Sequence, residues 1–492
     1  MVPPSIKRYI PLFSWLIAAL TLILIPAKIL GTGYLPGDDA LRHAAKAVSG
    51  KPWSEILVMR SGFEIDPHAG WHVILGAIHR WQGGNAETLV VISCFGLMLL
   101  VGVSALPWFR WPEAWLAGLL AGSIFVPLFV TRLMMGRPYL LSMAVFITLL
   151  LLWSRVENRR PRTGELLATI VLIAAAAWIH GSFYLFGIPA VGILLAGRWR
   201  QSVWFGGCWL VGSFLGASLT GHPVQFLYQW IRLLFEAFGT HAFSRQLVGE
   251  FQPSDGDWAM VLAVVAMLLW RSRSPDWKPK DLVDPIFLTG VLGWVLGLKV
   301  IRFWWDWGLP AMVLWMALEF QKQCEAYLGR ESLRRPLIAA GLAASLLFGT
   351  TSDAHSRWTW NLTKQYISPD DPQLAGWLPG DNGVCYAADM FFFYETFFKN
   401  PTAPWRYVLG FEPGLMRPED LDVMHKVQWN LGDVSFYKPW VEKMRPNDRL
   451  FIRASWTETS PPRIPELEWR LAPNKVWIGR LRAATNAPPA KQ

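Results

Sequence analysis

The feature that most restricts this chain is a series of apolar runs near the length of a bilayer crossing, separated by charged or Gly/Pro-rich breaks. About 20 apolar residues in a helix cover the roughly 30 Å hydrocarbon core of a membrane. Inside lipid every backbone N–H and C=O must be paired within its own segment, and a helix does this. Eleven stretches qualify: about 10–30, 87–109, 113–134, 138–153, 165–180, 182–197, 202–220, 257–270, 284–301, 306–320 and 336–352. Charged residues make up 17% of the 492 residues, against about 25% in a soluble globular chain. That deficit, together with 30 Trp and 28 Phe, implies a surface facing lipid.

Basic loops set the orientation. They comprise Lys7 and Arg8, four arginines between Arg155 and Arg162, the pair Arg198/Arg200, then Arg271, Arg273, Lys278 and Lys280, and finally Lys322, Arg330, Arg334 and Arg335. With eleven spans all of them fall on one side, which predicts a cytoplasmic N-terminus and an uncleaved first helix. Reading 165–197 as a single helix would split the arginine clusters across the membrane, so two tilted helices meeting near His180-Gly181 are expected. The net charge of +10 then belongs to membrane topology. No nucleic-acid module is present, and the expected partner of these helices is the bilayer.

Residues 1–352 thus read as a polytopic α-helical membrane region with two outer loops, 31–86 and 221–256. Residues 353–492 lie outside, rich in Pro, Asp and Trp, with β-like runs at Gly383–Ala387, Arg449–Ala454 and Lys475–Leu481. They read as a small mixed α/β domain that ends in an Ala/Pro-rich tail. Cys94, Cys208, Cys324 and Cys385 show neither disulfide nor zinc spacing.

The spans carry almost no ionisable residue at their centres, whereas transporters of ions or polar solutes place such groups near the midplane. Charges gather instead at the outer ends: Asp38, Asp39, Arg42, His43, Asp66, His68 and His72 in the first loop, Arg132 and Arg137 between spans three and four, His180 between five and six, and Lys299, Arg302 and Asp306 between nine and ten. This distribution predicts chemistry at the outer membrane–water boundary, where a lipid-anchored substrate presents its polar head.

Three local patterns carry that chemistry. Gly37-Asp38-Asp39-Ala40-Leu41-Arg42-His43 opens an amphipathic helix, where the bland alternative is an acidic N-cap. Glu64-Ile65-Asp66-Pro67-His68-Ala69-Gly70-Trp71-His72 leads into an apolar helix, with interfacial packing of the histidines as the alternative. Gly136-Arg137-Pro138-Tyr139 opens span four, where the alternative is a snorkelling arginine. Lys299 and Arg302, three apart, share a helical face, and Arg302 also has Asp306 at spacing four. His180 is either a ligand to substrate or a packed polar residue.

The acidic pair just beyond the first span, followed by Arg42-His43-Ala44, resembles the glycosyltransferase C superfamily, polytopic enzymes that take a sugar from a polyprenyl-phosphate carrier. Protein O-mannosyltransferases, oligosaccharyltransferases and the aminoarabinose transferase of lipid A belong to it. Asp39 matches the family motif best, but the usual second acid is displaced to Asp38, so the base lies between Asp38 and Asp39. The Asp66–His72 stretch is similar to the family's His-Pro-Pro and aromatic element. The resemblance implies an inverting glycosyltransferase of the bacterial inner membrane, with its C-terminal domain in the periplasm, moving sugar from a polyprenyl-phosphate-linked donor to a cell-envelope glycan, lipid or protein. It places Asp39 or Asp38 as catalytic carboxylate, Arg137, Lys299 and Arg302 at the donor phosphate, and Asp66, His68, His72 and His180 at substrate. A cofactor is not indicated, and a divalent metal stays open. No Gly-rich nucleotide loop, Gly-x-Ser-x-Gly elbow or His-Glu-x-x-His site is present, which fits a lipid-linked donor. The alternatives are an envelope polysaccharide polymerase or ligase, for which the late loop offers His222, Arg232, His241 and Arg245, and a non-enzymatic transporter or assembly subunit.

Overall fold

The computed structural model describes residues 9–157, 159–239, 249–273, 277–430, 432–454 and 460–482; Lys7, Arg8, His241, Arg245 and the 483–492 tail lie outside them. The fold is mostly helical with one small mixed sheet near the C-terminus. Helices occur at all eleven predicted stretches: α1 (Ile10–Leu30), α4 (Ala86–Ala105), α5 (Pro112–Phe125) continued by α6 (Leu128–Leu133), α7 (Tyr139–Ser154), α8 (Thr163–Ile179), α9 (Gly187–Leu195), α10 (Trp199–Ser218), α12 (Trp258–Ser272), α13 (Pro285–Gly297), α14 (Leu309–Tyr327) and α15 (Arg334–Thr351). Residues 31–86 fold into α2 (Asp39–Ser49) and α3 (Ala69–Gln82), and α11 (Pro223–Gly239) follows α10.

The expectation of eleven full-length spans is met only in part. Among the described residues two helices, Ile10–Leu30 and Ala86–Trp108, are by themselves long and apolar enough to cross a membrane, and a third crossing results if α10 and the α11 stretch, bent by 111°, form one span. Many of the others are shorter because the chain interrupts them. Pro127 separates α5 from α6, and Val300 adopts an extended conformation between α13 and the next helix. The break at His180-Gly181 is present, with α8 ending at Ile179 and a 3-10 turn, Phe183–Phe186, leading into α9.

Local chemistry sets several helix starts. Asn85 and Asp284 cap α4 and α13 by accepting backbone N–H bonds, from Thr88 in one case and from Ile286 and Phe287 in the other. Helices α8 and α10 approach closely because Gly212 and Gly216 of α10 face α8; a Cβ at Gly216 would lie 2.4 Å from the Ala174 carbonyl oxygen. A small-xxx-small contact of this kind lets backbones pack without large side chains between them. The outward faces of α1, α10 and α12 expose Leu12, Leu16, Leu20, Val203, Leu210, Phe214, Leu262 and Leu269.

The C-terminal residues form a five-stranded sheet of β1 (Val384–Ala387), β2 (Arg406–Tyr407), β3 (Arg449–Arg453), β4 (Leu467–Ala472) and β5 (Val476–Leu481), in the order β2-β1-β3-β5-β4. The β1 pairings are parallel, and the β3/β5 and β4/β5 pairings antiparallel. Helices α16 (Met390–Lys399) and α17 (Pro418–Trp429) belong to the same region. This region is joined to the 31–86 segment. Leu57 bridges Tyr407 and Met59 bridges Met416, while the Val58 and Arg60 N–H groups donate to the Tyr407 and Leu415 carbonyls at 2.9 and 3.0 Å. Helix α16 packs against α2, and one contiguous apolar core runs from α1 into the sheet.

Candidate active site

Where α2, the helix ends near Arg132, Arg137 and Arg302, and the C-terminal region meet, they enclose a cavity of about 540 Å³. Asp38 and Asp39 stand at the start of α2, yet Asp38, at the N-cap position, makes no side-chain capping bond. The bland capping alternative therefore fails, because arginines hold both carboxylates at the cavity. Arg42, one turn along, grips both oxygens of Asp39 through Nε and Nη2 and is itself buried, its guanidinium 3.9 Å above the Phe411 ring. Burial pushes the Asp39 carboxyl up, but Arg42 and then Arg137 outweigh it and hold the group well below the usual carboxylate range. Asp38 differs. Its Oδ2 accepts from Arg137 Nη2 at 3.0 Å, and its buried Oδ1 has no hydrogen-bond partner among the described residues. Burial dominates over Arg137 and raises its affinity for a proton.

Opposite lies a cluster of three arginines. Arg137 sits in the turn before α7, reached through Gly136 at φ +64°; an added Cβ there would lie 2.7 Å from Cys94 Sγ. Arg132 ends α6 and stacks 4.8 Å from the Trp305 ring. Arg302 follows the break at Val300. Asp306, carried inward by a π-helical turn over Trp304–Gly308, accepts from Arg132 Nη2 at 2.5 Å and Arg302 Nε at 3.1 Å. Single π-turns are frequent at functional sites. Glu250 reaches into the cluster, accepting from Arg137 Nη1 at 2.7 Å and Arg132 Nη1 at 3.3 Å, with Arg302 Nη1 3.9 Å away.

Behind α2 runs a buried imidazole chain. Asp66 Oδ2 lies 2.5 Å from His72 Nδ1, and His72 Nε2 lies 2.9 Å from His43 Nδ1. Burial drives the affinity of His43, His68 and His72 for a second proton down, so these rings are neutral. A carboxylate accepts only, so His72 donates from Nδ1 and accepts at Nε2, and His43 in turn donates from Nδ1. That leaves the His43 Nε2 lone pair buried, without a hydrogen-bond partner among the described residues, and 3.9 Å from Asp39 Oδ2.

Of the residues singled out in the sequence, Asp38, Asp39, His68, Arg137, His180 and Arg302 line this cavity. Asp66 and His72 do not; they form the layer behind it. Lys299 is a correction. It is exposed and absent from the cavity, because the extended Val300 breaks the helical face it was expected to share with Arg302. In the late loop, His222 is exposed and Arg232 lies over Phe63, and neither lines the cavity. Residues with no assigned role complete the wall: Arg42, Arg132, Glu250, Tyr394 and Glu412. Arg42 was legible as the third residue after Asp39. Glu250, Tyr394 and Glu412 arrive from distant segments with no local signature. Burial pushes the Glu412 carboxyl up to about 7, against the pull of Arg302.

Among the described residues no group of three or more His, Cys, Asp or Glu side chains is arranged to hold a metal ion. Compared with known proteins, the chain matches no family model and no curated protein sequence.

Proposed function

We propose that this chain is a polytopic membrane glycosyltransferase of the glycosyltransferase C type, with eleven membrane-embedded helical segments, that moves a sugar from a polyprenyl-phosphate-linked donor to a cell-envelope acceptor on the periplasmic face of the bacterial inner membrane. The observation that carries the reading is a single cavity holding a carboxylate, Asp38, whose buried Oδ1 is unpartnered among the described residues, and three arginines, Arg132, Arg137 and Arg302. The exposed apolar faces of α1, α10 and α12 support embedding in lipid, and the short helices fit tilted or paired packing within it. The basic loops support the orientation.

The chemistry follows from these groups. An acceptor hydroxyl or amine gives its proton to Asp38 Oδ1 as its oxygen or nitrogen forms the bond to the anomeric carbon. The bond from that carbon to the donor phosphate oxygen breaks, and its electron pair leaves on the phosphate. A carboxylate whose proton affinity is raised by burial is the better base, which favours Asp38, bound by Arg137 through one oxygen, over Asp39, whose two oxygens Arg42 both binds. Asp39 and Arg42, backed by the imidazole chain, hold the start of α2 in place. Preorganised arginines stabilise charge as it develops on the leaving phosphate. Direct displacement inverts the anomeric centre.

The test compares envelope glycans from cells carrying wild-type protein, Asp38→Asn, Asp39→Asn or no protein, at matched membrane levels. Asp38→Asn is expected to lose the same sugar as the deletion, with a rate loss on the order of 10²–10⁴ for a missing general base. A deletion strain with unchanged glycans removes the glycosyltransferase reading. An active Asp38→Asn protein beside an inactive Asp39→Asn protein returns the base to Asp39.

A further inference from the structure

Resting on the glycosyl-transfer reading, we propose that the Glu250 carboxylate is an internal stand-in for the donor's phosphate, and that the seat it fills is cut for a singly charged phosphodiester. Its two oxygens approach three guanidinium groups from three separate elements: Arg137 at 2.7 Å, Arg132 at 3.3 Å and Arg302 at 3.9 Å. Convergence of several arginines on one small anion is the way proteins bind phosphate.

Glu250 is not needed to hold these arginines. Each has another carboxylate of its own: Arg137 has Asp38 at 3.0 Å, Arg132 has Asp306 at 2.5 Å, and Arg302 has Asp306 at 3.1 Å. Withdrawal of Glu250 therefore leaves an organised seat. The backbone beside it is anchored independently, with the Ile301 N–H donating to the Gln252 carbonyl at 2.8 Å and the Ser254 N–H to the Gly297 carbonyl at 3.1 Å. The carboxylate reaches the arginines on a three-bond side chain, so rotation of that side chain vacates the seat without moving these anchors.

Charge identifies the occupant. Below the pH at which Glu412 ionises, the three arginines are balanced by Asp38, Asp306 and Glu250, while Asp39 and Arg42 neutralise each other. With Glu250 gone the cluster carries one uncompensated positive charge. A polyprenyl phosphate sugar is a phosphodiester with one negative charge and restores balance; a polyprenyl diphosphate sugar brings two and overfills the seat. The count also holds through the reaction. When Asp38 takes the acceptor proton it loses its charge, and the released polyprenyl phosphate, a monoester with a second pKa of about 6, carries close to two. Once Asp38 passes that proton to water, the product is in excess by one charge. Return of Glu250 then competes it out.

The test uses the purified full-length protein in lipid nanodiscs and calorimetric binding of three probes: farnesyl methyl phosphate (one charge), its diphosphate homologue P1-farnesyl P2-methyl diphosphate (two charges) and inorganic phosphate. Glu250→Gln, with an unchanged melting profile, is expected to bind farnesyl methyl phosphate at least tenfold more tightly than wild type. Glu250→Asp, whose carboxylate is one methylene shorter, is expected to fall between them. The wild-type protein is expected to prefer the singly charged probe, and adding Arg302→Ala to Glu250→Gln is expected to abolish the gain. Equal or weaker binding of farnesyl methyl phosphate by both Glu250 variants overturns the stand-in while leaving a lipid-phosphate site intact. Tighter binding of inorganic phosphate by Glu250→Gln, with no binding of the farnesyl probe by any protein, supports the stand-in and removes the lipid-linked donor. A preference for the diphosphate probe overturns the charge match, and absence of binding by every protein overturns the seat itself.

Discussion

The pair Glu113–Arg335 ties the start of α5 to the start of α15, at the end of the bundle away from the cavity, and its loss can be sized from its surroundings. Both side chains are fully buried, with Arg335 Nε and Nη2 donating to the two Glu113 oxygens at 3.0 and 3.2 Å. The same guanidinium donates to the carbonyls of Arg330 and Arg110 and lies 3.9 Å above the Trp111 ring. Arg335→Met leaves the Glu113 carboxylate buried without a partner, which costs about 3–5 kcal/mol, whereas replacing both partners by apolar groups of similar volume is close to neutral. Glu113→Met alone strands the guanidinium and is expected to cost a similar amount. The double variant Glu113→Met/Arg335→Met is expected to recover most of the loss, giving a coupling energy of about 3 kcal/mol or more in a double-mutant cycle. Reversible unfolding in mixed micelles reads all four proteins. Single losses below about 1 kcal/mol, or losses that add to within about 0.5 kcal/mol in the double variant, would refute the argument that burial and pairing hold this junction.

Two further outcomes concern the cavity. Gly136→Ala places a side chain in the left-handed region, at a strain of about 1–2 kcal/mol, and pushes a Cβ to within 2.7 Å of Cys94 Sγ; it is expected to weaken farnesyl methyl phosphate binding through displacement of Arg137 while membrane levels hold, and unchanged binding would free Arg137 from its turn. Glu412, with its pKa pushed up to about 7, gains a negative charge in the cavity as pH rises through that value, so anion affinity is expected to fall from pH 6 to pH 8. Glu412→Gln is expected to flatten that profile, and a wild-type slope retained by this variant assigns the titration elsewhere.

The helices were legible because each is a run of mostly apolar residues between charged or Gly/Pro-rich breaks, and the break at His180-Gly181 because loop charge required it; the shortness of most of them was not legible. What escaped was set by the backbone between residues or by distance along the chain. Lys299 and Arg302 share a face only if the helix is continuous, and Val300 is extended. Asp39 fits the family motif better than Asp38, but the motif carries no information about which carboxylate Arg42 closes with a fork and which retains a free oxygen. Strand β2 is two residues long and exists through its partner β1. Glu250, Tyr394 and Glu412 enter from segments far from α2, and their neighbourhoods in sequence contain nothing that distinguishes them from ordinary surface acids or core tyrosines.

The pairing of residues 57–60 with Tyr407, Leu415 and Met416, and the seating of Lys51 Nζ on the Ala403 carbonyl at 2.6 Å, have a consequence for biogenesis. The loop bearing Asp38 and Asp39 leaves the ribosome long before its partners do, and folding at synthesis rates of about 5–20 residues per second keeps it waiting through nearly the whole bundle. Arg137 and Arg302 can be in position while the cavity still lacks Tyr394 and Glu412. The wall is closed only by the last fifth of the chain, so a nascent or truncated protein carries its charged groups without the enclosure that gives them their proton affinities.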